Sequence, residues 1–190
     1  MSFLTKRDVS FIGFKFIGNN VCISSKASFY NPARISIGDN SRIDDFCILS
    51  AGTGGITIGK YVHIACHSYL IGRGAITLED FSGISGRVAI YSSNDDYSGN
   101  SLTNPTVPEI YKNVSSGEVV LRKHAIVGAG AVILPNVEID VGAVVGALSL
   151  VKENCEEFGV YAGIPAKMIA KRRRNLLELE KEFLNAQKND

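Results

Sequence analysis

The sequence contains no tryptophan and only three histidines, and it lacks an excess of charge of either sign. Its 20 lysine and arginine residues are balanced by 19 aspartate and glutamate residues. A net charge so close to zero argues against nucleic acid as the main partner, because binding to phosphate backbones requires a strongly basic surface. The chain length of 190 residues fits one or two domains.

Long hydrophobic runs are also missing. No window offers the ~18–20 uncharged apolar residues that a membrane-spanning helix needs. The first residues carry Lys6, Arg7 and Asp8 where a signal peptide would have its apolar segment. We therefore expect a cytoplasmic protein with no membrane span.

A six-residue repeat dominates residues 121–156. An aliphatic residue recurs at every sixth position, and a small or short residue follows four positions after each. The aliphatic set is Leu121, Val127, Ile133, Ile139, Val145 and Val151, and the small set is Ala125, Ala131, Val137, Ala143, Ser149 and Cys155. A period of six is neither helical nor a strand alternation, and short repeats of this kind are typical of a solenoid. We expect three extended segments to close one triangular coil, with the aliphatic residues inside.

The same repeat is present earlier in the chain. It begins at Ile37 and continues, with slips of register, to Ile90. Coils stack ~4.8 Å apart, so roughly six coils would form a prism about 30 Å long. Cys47 and Cys155 fall on the small inward position and are interpreted as core thiols. The irregular spacing of the four cysteines argues against a disulfide framework.

The repeat divides the chain into three parts. Residues 1–18 lie outside it and are rich in apolar side chains, so they are expected to cap the first coil. Residues 19–171 form the solenoid, interrupted by a loop insertion at 95–118 that we interpret as an ordered arm. The apolar anchors of that arm are Tyr97, Leu102, Val107, Ile110 and Tyr111. Residues 172–190 form a C-terminal α-helix with one apolar stripe, and the arginines at 172–174 are either a solvated turn before it or an anion site.

The hexads, the loop after Ile90 and the closing segment Ala162-Gly163-Ile164-Pro165-Ala166-Lys167 together resemble the hexapeptide-repeat acyltransferases. The likeness covers about residues 20–172 and is greatest for sugar O-acetyltransferases of the galactoside and maltose type and of O-antigen and capsule pathways. It implies an all-β solenoid, namely a left-handed parallel β-helix with a loop insertion and a C-terminal helix. It also implies homotrimers whose active sites lie between subunits, with acetyl-CoA as the acyl donor. The handedness rests on the resemblance alone, because crossover connections are normally right-handed.

Acyl transfer from a thioester needs a base, a donor to the developing oxyanion and a slot for pantetheine. The segment Gly83-Ile84-Ser85-Gly86 only approaches the G-x-S-x-G nucleophile elbow, so Ser85 is interpreted as part of an ordinary hexad. Direct transfer without an acyl-enzyme is therefore expected.

Candidates for the base are Asp95, Asp96 and His63. The resemblance implies a histidine shortly after an Ile-Tyr pair at the mouth of the loop, and here Asp95 stands at that position, followed by Asp96. The two carboxylates are either functional or simply turn formers that open the loop. His63 is the alternative base, favoured over His67 and His124, and the two candidate groups would come from different subunits.

The resemblance also assigns the donor site. It implies that backbone groups of the late coils hold the pantetheine arm, at Ala129 and Ala147, and that Lys167 and Lys171 meet the CoA phosphates. The alternative for the alanines is the packing demand of the repeat itself.

A metal site is not expected. The spacing His63-x-x-Cys66-His67 invites comparison with a zinc site, but a catalytic zinc needs three convergent protein ligands. The main functional prediction is acetyl-CoA-dependent acetylation of a sugar hydroxyl in surface-polysaccharide biosynthesis. The alternative is N-acetylation of a nucleotide-linked aminosugar, and a different class would be a non-catalytic or zinc-binding β-helix. The acceptor is accordingly a sugar or nucleotide sugar.

Overall fold

The hexads fold into short strands that wind into three parallel sheets, and the resulting molecule is a left-handed parallel β-helix, as predicted. The computed structural model describes residues 2–187. Strands are numbered in chain order. The first sheet contains β1 (Phe16–Ile17), β4 (Ile35–Ile37), β7 (Ile56–Ile58), β10 (Ile76–Leu78), β15 (Val119–Leu121) and β18 (Val137–Ile139). The second contains β2 (Cys22–Ile23), β5 (Arg42–Ile43), β8 (His63–Ile64), β11 (Gly83–Ile84), β16 (Ile126–Val127), β19 (Val144–Val145), β21 (Gly159–Gly163) and β22 (Ala166–Lys171). The third contains β3 (Ser28–Tyr30), β6 (Ile48–Ala51), β9 (Tyr69–Gly72), β12 (Ala89–Tyr91), β17 (Val132–Ile133) and β20 (Leu150–Val151).

The core is a stack of aliphatic side chains along the prism axis. Register pairs Ile58 with Leu78, and Leu78 with Leu121, on successive coils. These residues are at most 2% exposed. The two thiols predicted to lie in the core are buried there, and burial raises the pKa of Cys47 to about 11 and that of Cys155 to about 12.

The corner between the first and second sheets carries a ladder of aromatic rings. Tyr61, Phe81 and His124 occupy equivalent corner positions with positive φ and stack face to face, at centroid distances of 4.9 and 5.2 Å. Left-handed backbone is costly for such residues, and stacking between successive coils offsets part of the cost. We call these three residues the aromatic ladder.

The N-terminal segment is part cap and part coil. Helix α1 (Lys6–Ile12) begins with a capping box between Thr5 and Asp8. Phe14 packs edge-on against Phe29 of the first coil, whereas Phe11 is 76% exposed. Residues 16 and 17, which the sequence placed in the cap, form β1 and pair with β4. Met1 lies outside the described residues.

The loop insertion forms an ordered arm. Its base is a short antiparallel pair of β13 (Ser93–Asn94) and β14 (Ser115–Ser116), and a single 3-10 turn spans Glu109–Tyr111. Arg73 and Lys112 form ion pairs with Glu109, at 2.6 and 2.8 Å, and these contacts lower the pKa of Glu109 to about 2. Four of the five expected apolar anchors are exposed, namely Tyr97, Leu102, Ile110 and Tyr111. Val107 is partly buried.

The chain ends with a hairpin and a helix. β21 and β22 pair in antiparallel fashion around the cis Ile164–Pro165 bond, and β22 forms an edge of the second sheet. Helix α2 runs over Leu176–Ala186, so residues 172–175 of the predicted helical segment are a connection, and 188–190 lie outside the described part of the chain. Between residues 2 and 187, no helix has the length and apolar character required to cross a bilayer.

Candidate active site

A groove of about 480 Å³ lies on the outer face of the second sheet, beside the segment that leads into α2. It brings together polar side chains from three successive coils and from the C-terminal segment. Its lining includes His63, Gly83, Ser85, His124 and Arg172. Because side chains alternate along a strand, residues 83 and 85 project outward on either side of the buried Ile84.

His63 enters this groove with a carboxylate partner. Its Nε2 lies 2.9 Å from Oδ2 of Asp44, and Oδ1 of Asp44 accepts a hydrogen bond from Nε of Arg42 at 2.6 Å. Asp44 is only 6% exposed, whereas the His63 side chain is about half exposed. The buried carboxylate fixes the orientation of the imidazole, which leaves the other ring nitrogen for a ligand. The structure thus places His63 on strand β8, with its side chain in the groove.

Ser85 follows β11 and lies two coils below Asp44. Its backbone nitrogen donates to the carbonyl of Val127, which fixes the residue against the next coil. Within residues 2–187 its hydroxyl makes no hydrogen bond, so the hydroxyl is available to a ligand. The sequence interpretation treated this serine as an ordinary hexad residue and missed its position in the groove. The only available signal was its near match to a nucleophile motif.

Asp95 and Asp96 lie elsewhere, at the base of the arm. Oδ2 of Asp95 accepts a hydrogen bond from the Asn104 nitrogen at 3.2 Å, and Oδ1 of Asp96 accepts one from the Ser98 nitrogen at 2.8 Å. The hydrogen bonds from Ser98 lower the pKa of Asp96, which makes that carboxylate a poorer base and suits a turn-forming role. Neither aspartate lines the groove that contains Ser85. Within one subunit, this groove therefore contains His63 but not Asp95.

The predicted donor residues fall on consecutive coils. Ala129 and Ala147 occupy equivalent corner positions, joined by a hydrogen bond from the Leu148 nitrogen to the Ala129 carbonyl. A Cβ added to Gly128 would come within 2.5 Å of the Ala147 nitrogen, so the chain here is held close between coils. Ala129 is partly exposed and Ala147 is exposed, so both small side chains lie at the surface of the prism.

Lys167 and Lys171 lie on β22, the edge strand of the second sheet. Their Nζ atoms are 3.7 Å from a carboxylate oxygen of Glu153 and 3.3 Å from one of Glu156, respectively. Both lysines are more than half exposed, so these ion pairs are weak and can be exchanged for phosphate groups.

The other histidines have structural partners. His67 stacks on Phe46 at 4.9 Å. His124 is bound by the C-terminal helix through a 2.7 Å contact between its Nε2 and Glu180. No group of three or more histidine, cysteine, aspartate or glutamate side chains with the geometry to hold a metal occurs in the part of the chain that is described.

The arginine run is largely engaged in protein contacts. Nη1 of Arg172 donates to the backbone carbonyls of His124 and Gly142, and Arg174 pairs with Glu157. These contacts attach the segment to the prism beside the groove. They favour the interpretation of the run as a turn over that of an anion site.

No family model matches the chain. It is 54% identical over 183 residues to the dTDP-4-amino-4,6-dideoxy-D-glucose acyltransferase of Escherichia coli, which covers 96% of this chain and 95% of that protein. This chain belongs to the hexapeptide-repeat acyltransferases. It is an acyltransferase that depends on acyl-CoA.

Solved structures of a second acyltransferase agree with this. AntD, an N-acyltransferase from Bacillus cereus solved with dTDP and 3-hydroxybutyryl-CoA, superimposes with a TM-score of 0.94 at 49% identity, over 98% of each chain. A putative lipopolysaccharide biosynthesis O-acetyl transferase of Escherichia coli, WbbJ, is 33% identical over 61% of this chain and 57% of its own length. The chain is thus similar over nearly its whole length to an aminosugar acyltransferase and to an N-acyltransferase, and over part of its length to a putative O-acetyl transferase.

Proposed function

We propose that this acyltransferase transfers an acyl group from acyl-CoA to the amino group of a dTDP-linked 4-amino-4,6-dideoxy sugar. The observation that carries the proposal is the 54% identity, over nearly the full length of both chains, to an enzyme named for that substrate. The sequence alone favoured a sugar hydroxyl as the acceptor. The comparisons favour the alternative, because the O-acetyltransferase relative is less similar and matches a shorter part of the chain.

The reaction joins the sugar nitrogen to the thioester carbonyl carbon. The neutral amine attacks, a tetrahedral oxyanion forms, and the carbon–sulfur bond breaks as the CoA thiolate leaves. One proton from the nitrogen must be transferred to a base or to the leaving sulfur. A hydroxyl donor near the oxyanion and a carboxylate near the nitrogen would lower the barriers of the two halves of this reaction.

Ser85 and Asp95 fit those two roles. AntD has been solved with changes at a serine and at an aspartate ten positions later. In this sequence Ser85 and Asp95 are the only serine and aspartate with that order and spacing. We propose that the unpaired hydroxyl of Ser85 donates a hydrogen bond to the oxyanion, and that Asp95 accepts the proton from the sugar nitrogen. His63, held by Asp44, is the competing base.

A complete site then requires a second subunit. Asp95 lies at the base of the arm, whereas Ser85 lies in the groove. Strand β12 separates the two residues along the chain. The homotrimer inferred from the family resemblance would bring the arm of one chain to the groove of its neighbour. The exposed apolar side chains of the arm support such a contact.

We place the donor CoA along the corner of the prism that carries Ala129 and Ala147. Lys167 and Lys171 would then lie beside its phosphates. That path ends near Gly86, because residues 86, 129 and 147 are equivalent positions on three successive coils. The thioester carbonyl would then lie beside Ser85. Acetyl-CoA is the simplest donor that fits.

The proposal is tested by assaying CoA thiol release with two matched acceptors. One is dTDP-4-amino-4,6-dideoxyglucose, and the other is the same nucleotide sugar with a hydroxyl at position 4. We expect release only with the amine, and a product heavier by one acyl group in mass spectrometry. Release with the hydroxyl acceptor, and none with the amine, would reinstate the O-acetylation hypothesis.

A further inference from the structure

The outer face of the second sheet has a gap in one row of side chains. Register places His63, Gly83 and Ile126 side by side on successive coils, in β8, β11 and β16. The side chains of His63 and Ile126 project outward and are about half exposed. Gly83 contributes nothing between them, so an open space remains over its Cα.

The fold does not require glycine at this position. Seven of the nineteen glycines have positive φ, a conformation that favours glycine. The remaining twelve glycines have ordinary φ. At eleven of these twelve, an added Cβ would come within 3.2 Å of a neighbouring atom, and the exception is Gly83. At Gly83 the nearest atom is the His63 carbonyl oxygen at 3.6 Å, an ordinary van der Waals contact, and φ lies outside the left-handed region. Since glycine inside a strand weakens it, the absence of a side chain here calls for a reason other than packing.

The gap lies beside Ser85, the residue that we assign to the thioester carbonyl of the donor. Gly83 and Ser85 project from the same face of the chain, one on each side of buried Ile84, and both line the groove. The corner residues along which CoA is placed end at Gly86, next to Ser85. An acyl chain attached to a carbonyl at Ser85 therefore has free space over Gly83.

We propose that Gly83 is a specificity-determining residue, and that the space over it receives the acyl chain of donors longer than acetyl. This inference rests on the proposed function, because it uses the assignment of the thioester to Ser85. His63 and Ile126 form the two side walls of the space, with Gly83 as its floor. The histidine wall offers a polar contact, so acyl chains with a hydroxyl substituent fit this space as well as plain alkyl chains.

The test compares donors of increasing length on the wild type and on Gly83→Ala and Gly83→Val. The wild-type enzyme is expected to use butyryl-CoA with a kcat/KM within about tenfold of that for acetyl-CoA. Gly83→Val should lower the ratio of butyryl to acetyl kcat/KM by at least ~10-fold relative to the wild type, because the added methyl groups occupy the space of the longer acyl chain. Gly83→Ala should show a smaller loss in the same direction.

Two controls separate this effect from a structural one. Cys22→Val places the same β-branched side chain at an exposed outward position of the same sheet, three coils away, and should leave the donor ratio unchanged. Sedimentation of Gly83→Ala should match the wild type. A change in subunit number would overturn the proposal and assign the gap to a neighbouring chain.

A failure of the proposed function is recognisable separately. Binding of butyryl-CoA and of acetyl-CoA is measured by calorimetry without any acceptor, so it is independent of the acceptor assignment. If no nucleotide aminosugar is acylated but Gly83→Val still weakens only butyryl-CoA, the acyl space stands and the acceptor is wrong. An equal loss for both donors, or none for either, would overturn the inference.

Discussion

At the residue scale, two serines that face the inside of the prism at similar corners have different hydrogen-bonding environments. Oγ of Ser41 donates to the Gly59 carbonyl at 2.7 Å and accepts from the Val62 nitrogen at 3.0 Å. Ser82, only 2% exposed, has a buried hydroxyl without a hydrogen-bond partner among residues 2–187. A buried polar group that has a hydrogen-bond partner stabilises the fold. A buried polar group without a partner lowers the stability of the fold.

We therefore expect opposite results from the same substitution. Ser41→Ala should lower the free energy of unfolding by roughly 1–3 kcal/mol, because it leaves a buried backbone nitrogen unpaired. Ser82→Ala should be neutral within about 0.5 kcal/mol, or stabilising. Denaturant titration of the two variants makes the comparison. Equal destabilisation by both would mean that the Ser82 hydroxyl has a partner in solution.

The proton acceptor is also a question at the residue scale. Asp95→Asn should lower kcat by ~100-fold under saturating substrates, the usual effect of losing a general base, and His63→Ala should have a smaller effect. His67→Ala is the matched control, since His67 stacks on Phe46 outside the groove. A large loss in His63→Ala with near-normal turnover in Asp95→Asn would transfer the role to the imidazole. If both variants turn over normally, the proton is taken by water or by the leaving thiolate.

At the scale of elements, α2 is attached to the prism through the aromatic ladder. Phe183 packs edge-on against Tyr61 at 5.3 Å and against Phe81 at 6.1 Å. Glu180 contacts both Lys123 and His124. Burial alone raises the pKa of Glu180, but the hydrogen bonds from Lys123 and His124 together outweigh it, so this pKa lies below its ordinary value of 4.5. The helix is thus attached to the prism by packed aromatic rings and by a charged contact.

The pH dependence of this contact follows from the direction of the shift. The pKa of Glu180 in the folded protein is lower than its unfolded value of 4.5, so ionised Glu180 stabilises the fold above pH 4.5. This stabilisation is lost as the pH falls through the folded pKa. Glu180→Gln should lower stability by roughly 1–3 kcal/mol near neutral pH, and the difference from wild type should shrink in acid. Urea unfolding at several pH values measures this. Glu182→Gln, an exposed change on the same helix, is the control, and a difference that persists unchanged below the folded pKa would contradict the assignment.

At the scale of the whole molecule, the exposed arm leads us to expect three chains in the active enzyme. Ile110 is 82% exposed and Tyr97 is 86% exposed on their own chain, so their burial requires a neighbour. Sedimentation should show a trimer, and Ile110→Asp should shift it toward monomers and lower turnover together. Phe11→Asp, also an exposed apolar residue but located on α1, should leave both unchanged. A stable monomer with full activity would refute the shared site.

Much of the fold was predictable from local pattern. The inward positions of the hexads, such as Leu78 and Leu121, are the positions that the structure buries, because a solenoid repeats one local environment and the repeat is visible in the chain itself. The two core thiols followed from the same rule. The boundaries were less predictable, because β1 and the connection at 172–175 depend on pairing with distant segments.

The candidate site was predictable only in part. Sequence reasoning proposed His63 but could not supply Asp44, its partner from the preceding coil, and it passed over Ser85 and Gly83. The hexad repeat determines which residues face inward, and it is silent on which outward residues meet, since that depends on the register between coils and on where α2 and the arm lie. Sequence alone thus determined the prism and its core. The tertiary structure decided which polar side chains share a groove, and it keeps Asp95 out of the lining of that groove because Asp95 lies at the base of the arm.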